Sequence, residues 1–160
     1  MTLEGVELAF SNGKTAVFER VTVSGAAVMV VPITERGLLM VSEYASGTDR
    51  YEMGFVKGRI DAGETPYQAA LRELREEVGL GARELMLVRE MHGIPHYTNF
   101  MMHLFFARDC YPAPLPGDEV EPLEQQIWPL DSIDGLLDHP DINDPRVLLA
   151  ICLVKRWLES

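Results

Sequence analysis

Three glutamates, Glu73, Glu76 and Glu77, fall within five consecutive positions of the segment LRELREEVGL. Around them Leu71, Leu74 and Val78 recur at i, i+3 and i+7, the period of a helix with one buried face. Spacings of three and four then send the carboxylates from one helix face within a turn and a half. Like charges so close repel by about a few tenths of a kcal/mol per pair. A hard divalent cation reverses the sign, because Mg²⁺ takes oxygen ligands from one or two carboxylates plus substrate phosphates. A solvated acidic helix face is the competing reading of the three glutamates alone.

The charge balance bears on what such a site could admit. Lys+Arg is 14 and Asp+Glu is 25 in 160 residues, a net charge of −11. A chain this acidic is unsuited to nucleic acid or to an anionic membrane surface, and a phosphate ligand needs a cation as intermediary. No apolar run approaches the roughly 18 residues that cross a bilayer, and the N-terminus has no signal-peptide pattern. Cys110 and Cys152 fit neither a metal-ligand spacing nor a disulfide framework, so a reducing, cytoplasmic setting is expected. His92, His96, His103 and His139 are scattered and are not read as ligands.

The elements that must hold the carboxylates follow from local pattern. Strands are expected over residues 6–10, 15–23, 26–33, 38–44, 51–56, 83–92, 101–108 and 127–130. Asn12-Gly13 signals a hairpin between the first two. Residues 26–33 are apolar almost throughout, which implies burial on both faces. A helix begins at Thr65-Pro66-Tyr67-Gln68, a capping box with proline at the first helical position, and stops at Gly79. A second begins at Asn143-Asp144-Pro145, with Val147, Ala150, Ile151, Val154 and Leu158 as its buried stripe. Residues 111–122 read as a Pro-rich acidic surface loop. Interleaved strands and helices indicate a mixed α/β layered domain.

The segment from Gly58 to Leu80 satisfies G-x5-E-x7-R-E-U-x-E-E-x-G-U, with U aliphatic, at Gly58, Glu64, Arg72, Glu73, Leu74, Glu76, Glu77, Gly79 and Leu80. Chance agreement is on the order of one in ten million. The pattern resembles the Nudix box, and the chain is identified as a member of the Nudix hydrolase superfamily. Pro95, fifteen residues past Leu80, resembles the ADP-ribose pyrophosphatase branch. So do Phe10-Ser11-Asn12-Gly13, Glu19-Arg20, Glu43-Tyr44-Ala45, Tyr51-Glu52, Gly117-Asp118-Glu119 and Trp128-Pro129-Leu130, a likeness running from about residue 5 to 158.

The resemblance implies an α/β/α sandwich around a mixed sheet, the Nudix fold, preceded by an N-terminal β-hairpin. Residues 1–25 would form the hairpin and a homodimer contact, and residues 26–160 the hydrolase domain, with its box at 58–80. It implies Mg²⁺ as cofactor, with Mn²⁺ an alternative, held by Glu73, Glu76 and Glu77 and by the backbone carbonyl of Lys57. Glu76 is the catalytic candidate within the box. In the acidic loop Glu119 is a candidate general base and Glu121 a candidate ligand, against a plain solvated turn. Glu64 and Arg72 are expected to form a salt bridge tying loop to helix, with Gly58 and Gly79 structural. Arg20, Glu52 and Tyr97 are substrate candidates. For Arg20 the alternative is a surface charge. Phe10, Tyr97 and Phe55 are weighed as adenine-stacking residues against core packing.

The implied reaction is pyrophosphate hydrolysis of ADP-linked compounds, namely ADP-ribose, reduced nicotinamide dinucleotide and diadenosine polyphosphates, with no nucleic acid or membrane partner. Two alternatives stand beside it. One is a catalytically inactive nucleotide-sensing module. The other is hydrolysis of a sugar nucleotide, a damaged nucleotide or a capped RNA end. Where many relatives of this branch carry Tyr-Arg, this chain has Tyr44-Ala45, so an arginine contact is missing there.

Overall fold

The computed structural model describes residues 1–117 and 120–160. The first two strands, β1 (Thr2–Ala9) and β2 (Thr15–Thr22), pair only with each other as an antiparallel ribbon. At its turn Gly13 takes a φ of 80° and Asn12 does not. Asn12 instead accepts the Lys14 N–H through Oδ1 at 3.1 Å. The expected Asn-Gly hairpin is present, but glycine alone supplies the left-handed residue.

The remaining strands are β3 (Ala26–Thr34), β4 (Gly37–Ala45), β5 (Arg50–Gly54), β6 (Val56–Arg59), β7 (Leu80–His92), β8 (Met101–Pro112) and β9 (Glu124–Trp128). One run orders as β7-β8-β3-β6 and a second as β5-β4-β9. They join where Ile33 and Thr34 face Leu38 and Gly37. β3 and β8 are parallel and the other pairs antiparallel, so the sheet is mixed, as expected.

The sheet has a helix on each side because its central strand is apolar on both. Val28 and Val30 of β3 pack with Val41, Phe105 and the helix α1 (Pro66–Val78) through Ala69, Ala70, Leu74 and Val78. Met29 and Val31 face the other way, onto Met40, Phe106 and α2 (Pro145–Leu158). Each such side chain contributes roughly 1.5–3 kcal/mol on burial. The result is the α/β/α sandwich read from the sequence. The capping box at α1 is complete: Thr65 Oγ1 accepts the Gln68 N–H at 3.3 Å, and Gln68 Oε1 accepts the Thr65 N–H at 2.8 Å. Asp144 caps α2 by accepting the Arg146 N–H at 2.8 Å.

Several expectations need correction. The strand expected over 51–56 is two strands. The chain leaves β4 at Gly54 and joins β3 at Val56, with Phe55 buried between. A continuous apolar pattern cannot show a change of partner. The strand expected over 127–130 is β9, which ends at Trp128 because Pro129 cannot donate to a ladder. A 3-10 helix (Leu130–Leu136) follows, buried through Ile133 and Leu136. Leu158 is exposed rather than part of the α2 stripe, since it is the last residue of the helix. Phe55 is fully buried and is a core residue, not a base-stacking one.

Candidate active site

The first box glycine and the first box glutamate are in contact. Gly58 lies on β6, and an added Cβ there would stand 1.9 Å from the Glu73 carboxylate. The Glu73 side chain is therefore seated on the backbone of β6 and is 8% exposed. One turn along α1, the Glu77 carboxylate accepts the Lys57 N–H at 3.2 Å. In a strand a residue's N–H and C=O point to the same side, so the Lys57 carbonyl faces the edge that carries Glu77. Arg59 shows the same geometry two residues on, where its carbonyl accepts Arg72 Nη2 at 2.8 Å. β6 pairs only with β3 among the described residues, which leaves this edge to the helix.

Arg72 answers the repulsion among the carboxylates. Its guanidinium makes a two-pronged pair with Glu64, at 2.9 Å from both Nε and Nη2. Its Nη1 donates to Glu73 at 2.7 Å and to Glu76 at 2.9 Å. The Glu64–Arg72 pair expected from the sequence is present, and the same guanidinium also gathers two of the helix carboxylates. Hydrogen bonds from Arg72 hold the Glu64 carboxyl below the usual carboxylate range, against the opposing effect of burial. Glu77 goes the other way. Burial pushes it up to about 8, opposed by the nearby Lys57 charge and N–H, and assisted by Glu73 and Glu43. The acidic face is thus not a solvated one: it is turned onto β6.

Beyond Glu77 the polar strip continues. Lys57 Nζ donates to Glu43 at 2.9 Å, and Glu43 stands opposite Glu52 in the β4–β5 ladder. Glu52 accepts Asn143 Nδ2 at 2.9 Å and Thr48 Oγ1 at 3.1 Å, and the Asn143 bond chiefly lowers its pKa. Glu121 accepts the Tyr51 hydroxyl at 2.7 Å. Sequence reasoning missed the Lys57 ammonium, Glu43 and Asn143. One signal was there: the chain has three lysines, and one of them adjoins the first box glycine.

Arg20 and Tyr97 lie elsewhere. Arg20 is on β2 and pairs with Glu4 at 2.7 Å, and with Phe18, His92, His96 and Thr98 it lines a cavity of about 380 Å³. The Tyr97 carbonyl accepts the Val21 N–H at 2.7 Å, while its ring is exposed. Phe10 is also exposed and packs against Phe18. Glu119 lies outside the described residues. A larger cavity, about 650 Å³, opens between the β3–β4 turn and the ends of both helices, and the box carboxylates do not line it.

The residues fit a hard cation by chemistry: the donors at the Gly58 notch and the β6 edge are all oxygen, and Glu73 occupies space that only glycine leaves open. No group of three or more His, Cys, Asp or Glu side chains among the described residues is arranged to enclose a metal. Mg²⁺ needs no such cage, since it retains waters and takes substrate phosphates as ligands.

Residues 23–150 match the family model described as the NUDIX domain. The chain is 47% identical to ADP compounds hydrolase NudE of Escherichia coli (strain K12), over 99% of this chain and 86% of that protein. It is 33% identical to ADP-ribose pyrophosphatase of Bacillus subtilis (strain 168), over 93% of this chain and 80% of that one. A solved crystal structure of ADP compounds hydrolase matches with a TM-score of 0.92 at 47% identity, covering 98% of this chain and 85% of the other. The sheet, the glutamates gathered on β6 by one arginine, and these likenesses agree: the chain belongs to the Nudix hydrolase family.

Proposed function

We propose that the chain is a divalent-metal-dependent pyrophosphohydrolase. It splits the P–O–P bond of ADP-linked compounds, among them ADP-ribose, reduced nicotinamide dinucleotide and diadenosine polyphosphates, into AMP and a second phosphate product. The relatives' names support the substrate class. The observation that carries the reading is the seat of Glu73 on Gly58, beside Glu77 on the Lys57 N–H. That arrangement keeps buried carboxylates on a polar strand edge, a costly placement that a fold selected for stability alone would avoid.

Mg²⁺, or Mn²⁺ in its place, would be held by Glu73, Glu77 and the Lys57 carbonyl, with Glu121 reaching in from its loop, and supplies charge neutralisation and an acidified water. The chain's own part is positioning and proton transfer. Glu76, or Glu119 from the loop, takes the proton as the water oxygen reaches phosphorus. Arg72 holds Glu73 and Glu76 in place from Glu64. Arg20, Glu52 and Tyr97 take the substrate beyond the pyrophosphate.

The hairpin, residues 1–25, is read as a homodimer contact. It exposes Leu3, Leu8, Phe10, Val17 and Phe18, more apolar surface than a free ribbon keeps in water. Light scattering at micromolar concentration should give twice the chain mass, and the mass of a single chain would refute the dimer. Both cysteines are free thiols, in keeping with a cytoplasmic setting, and no helix among the described residues is long and apolar enough to cross a membrane. The catalytic reading is tested by a panel of ADP-ribose, reduced nicotinamide dinucleotide, diadenosine polyphosphates and sugar nucleotides assayed with Mg²⁺. Turnover should be greatest on the ADP-linked members and vanish with chelator. Turnover that is indifferent to chelator would overturn it.

A further inference from the structure

Asn99 grips the hairpin with both ends of its carboxamide. Its Oδ1 accepts the Val23 N–H at 2.7 Å, and its Nδ2 donates to the Val23 carbonyl at 3.1 Å. One side chain thereby satisfies both backbone groups of one residue, as a neighbouring strand does in a hydrogen-bonded pair. Val23 is the residue just past the end of β2, where the chain leaves the ribbon for β3. Two residues earlier the Val21 N–H donates to the Tyr97 carbonyl, and Val21 forms a parallel bridge with Thr98. Among the described residues, one other hydrogen bond joins residues 1–25 to the rest, from Arg59 Nη2 to the Ser24 carbonyl at 3.3 Å.

A two-stranded ribbon is marginal by itself, so its orientation depends on these few bonds. Phe18 and Arg20 of the ribbon, His92 at the end of β7 and His96 of the β7–β8 connection line one cavity, and Asn99 lines it too. A swing of the ribbon about Val23 would carry Arg20 and Phe18 away from the two histidines. It would leave Glu73, Glu76 and Glu77 on α1 untouched.

We infer that Asn99 is a positioning residue: its carboxamide clamps the ribbon at Val23 and so sets how well the cavity binds substrate, without acting on the chemical step. The inference rests on the reading of Arg20 as a substrate contact. Asn99 is exposed, so its replacement leaves the core intact. Asn99→Ala should raise KM for ADP-ribose about tenfold with kcat within about twofold. Asn99→Asp, which sets an oxygen against the Val23 carbonyl, should raise KM as well. Hydrogen exchange at the Val23 amide of Asn99→Ala should be about tenfold faster or more. Arg20→Ala serves as the reference. If Arg20→Ala raises KM and Asn99→Ala does not, the clamp is refuted while the substrate reading stands. If neither raises KM, the substrate reading fails and the clamp with it. A fall in kcat at unchanged KM in Asn99→Ala would also overturn the proposal.

Discussion

The carboxylate of Glu73 occupies the place where a side chain on residue 58 would begin. The glycine that opens the box is therefore a packing partner of the glutamate fifteen positions later, not a turn residue. Gly58→Ala would set a methyl group 1.9 Å from that carboxylate, which would have to leave its seat and strain its bond to Arg72 Nη1. Overpacking of this kind costs about 1–3 kcal/mol, and a displaced group at a reacting centre costs about 100-fold in rate. Gly58→Ala should accordingly melt at lower temperature and lose turnover by at least that factor. Near-normal kinetics would show that the seat of Glu73 has no part in catalysis.

Glu77 separates stability from activity. Its carboxyl titrates near 8 because it is buried, whereas an unfolded glutamate titrates near its ordinary value of 4.5. Between those two values the folded chain binds the extra proton, so the metal-free protein should lose stability as pH rises from about 5 to 8. Glu77→Gln removes that slope and should be the more stable protein at pH 8, by on the order of 1 kcal/mol or more. It should also be inactive, since a neutral amide is a poor ligand for a hard cation. Metal affinity of the wild type should climb through the same pH range, because ligation needs the ionised form. Denaturant melts at pH 5 and pH 8 with chelator, followed by calorimetric Mg²⁺ titrations, decide the matter. A Glu77→Gln protein that turns over within threefold of wild type would remove Glu77 from the ligand set.

Arg72 serves three carboxylates and one carbonyl, which only a five-donor planar fork can do. Arg72→Lys should therefore be far from conservative, losing about 2–4 kcal/mol of stability and most of the activity. Glu64→Gln keeps part of the hydrogen bonding and should cost about 1–2 kcal/mol, with a smaller loss of turnover. The depressed Glu64 pKa adds a sign. The stability it confers is present above the ordinary glutamate range and is lost as pH falls through the lowered value. Thermal melts from pH 3 to 7 should show an acid limb that Glu64→Gln flattens. An unchanged limb would mean that the pair has no net worth.

The box was legible because its information is local. Fixed spacings along one helix place Glu73, Glu76 and Glu77 on a face, and capping residues mark where that helix begins. The burial of β3 on both faces was legible for the same reason. What the sequence could not show depends on partners distant in the chain. The exchange of neighbours at Phe55, the strip from Lys57 through Glu43 to Glu52, and the grip of Asn99 on Val23 are contacts between segments that carry no shared period. The direction of the glutamate face was also hidden. Amphipathic pattern gives the apolar stripe, and it does not tell whether the opposite flank meets water or an edge strand.

The identity of the broken bond follows from leaving groups. Cleavage of the pyrophosphate bridge expels a phosphate monoester, whereas cleavage of either sugar ester expels an alkoxide, a far more basic group. The ammonium beside the strip of carboxylates is not placed to protonate such an alkoxide: Lys57 Nζ is engaged with Glu43 and the Phe55 carbonyl. ADP-ribose should therefore give AMP and ribose 5-phosphate, with no free adenosine and no inorganic phosphate. Run in ¹⁸O-labelled water and read by mass spectrometry, the reaction should place the label in one of the two monophosphates. Label in adenosine, ribose or inorganic phosphate would show that attack occurs at a terminal ester, and the carboxylates on β6 would then need a different role.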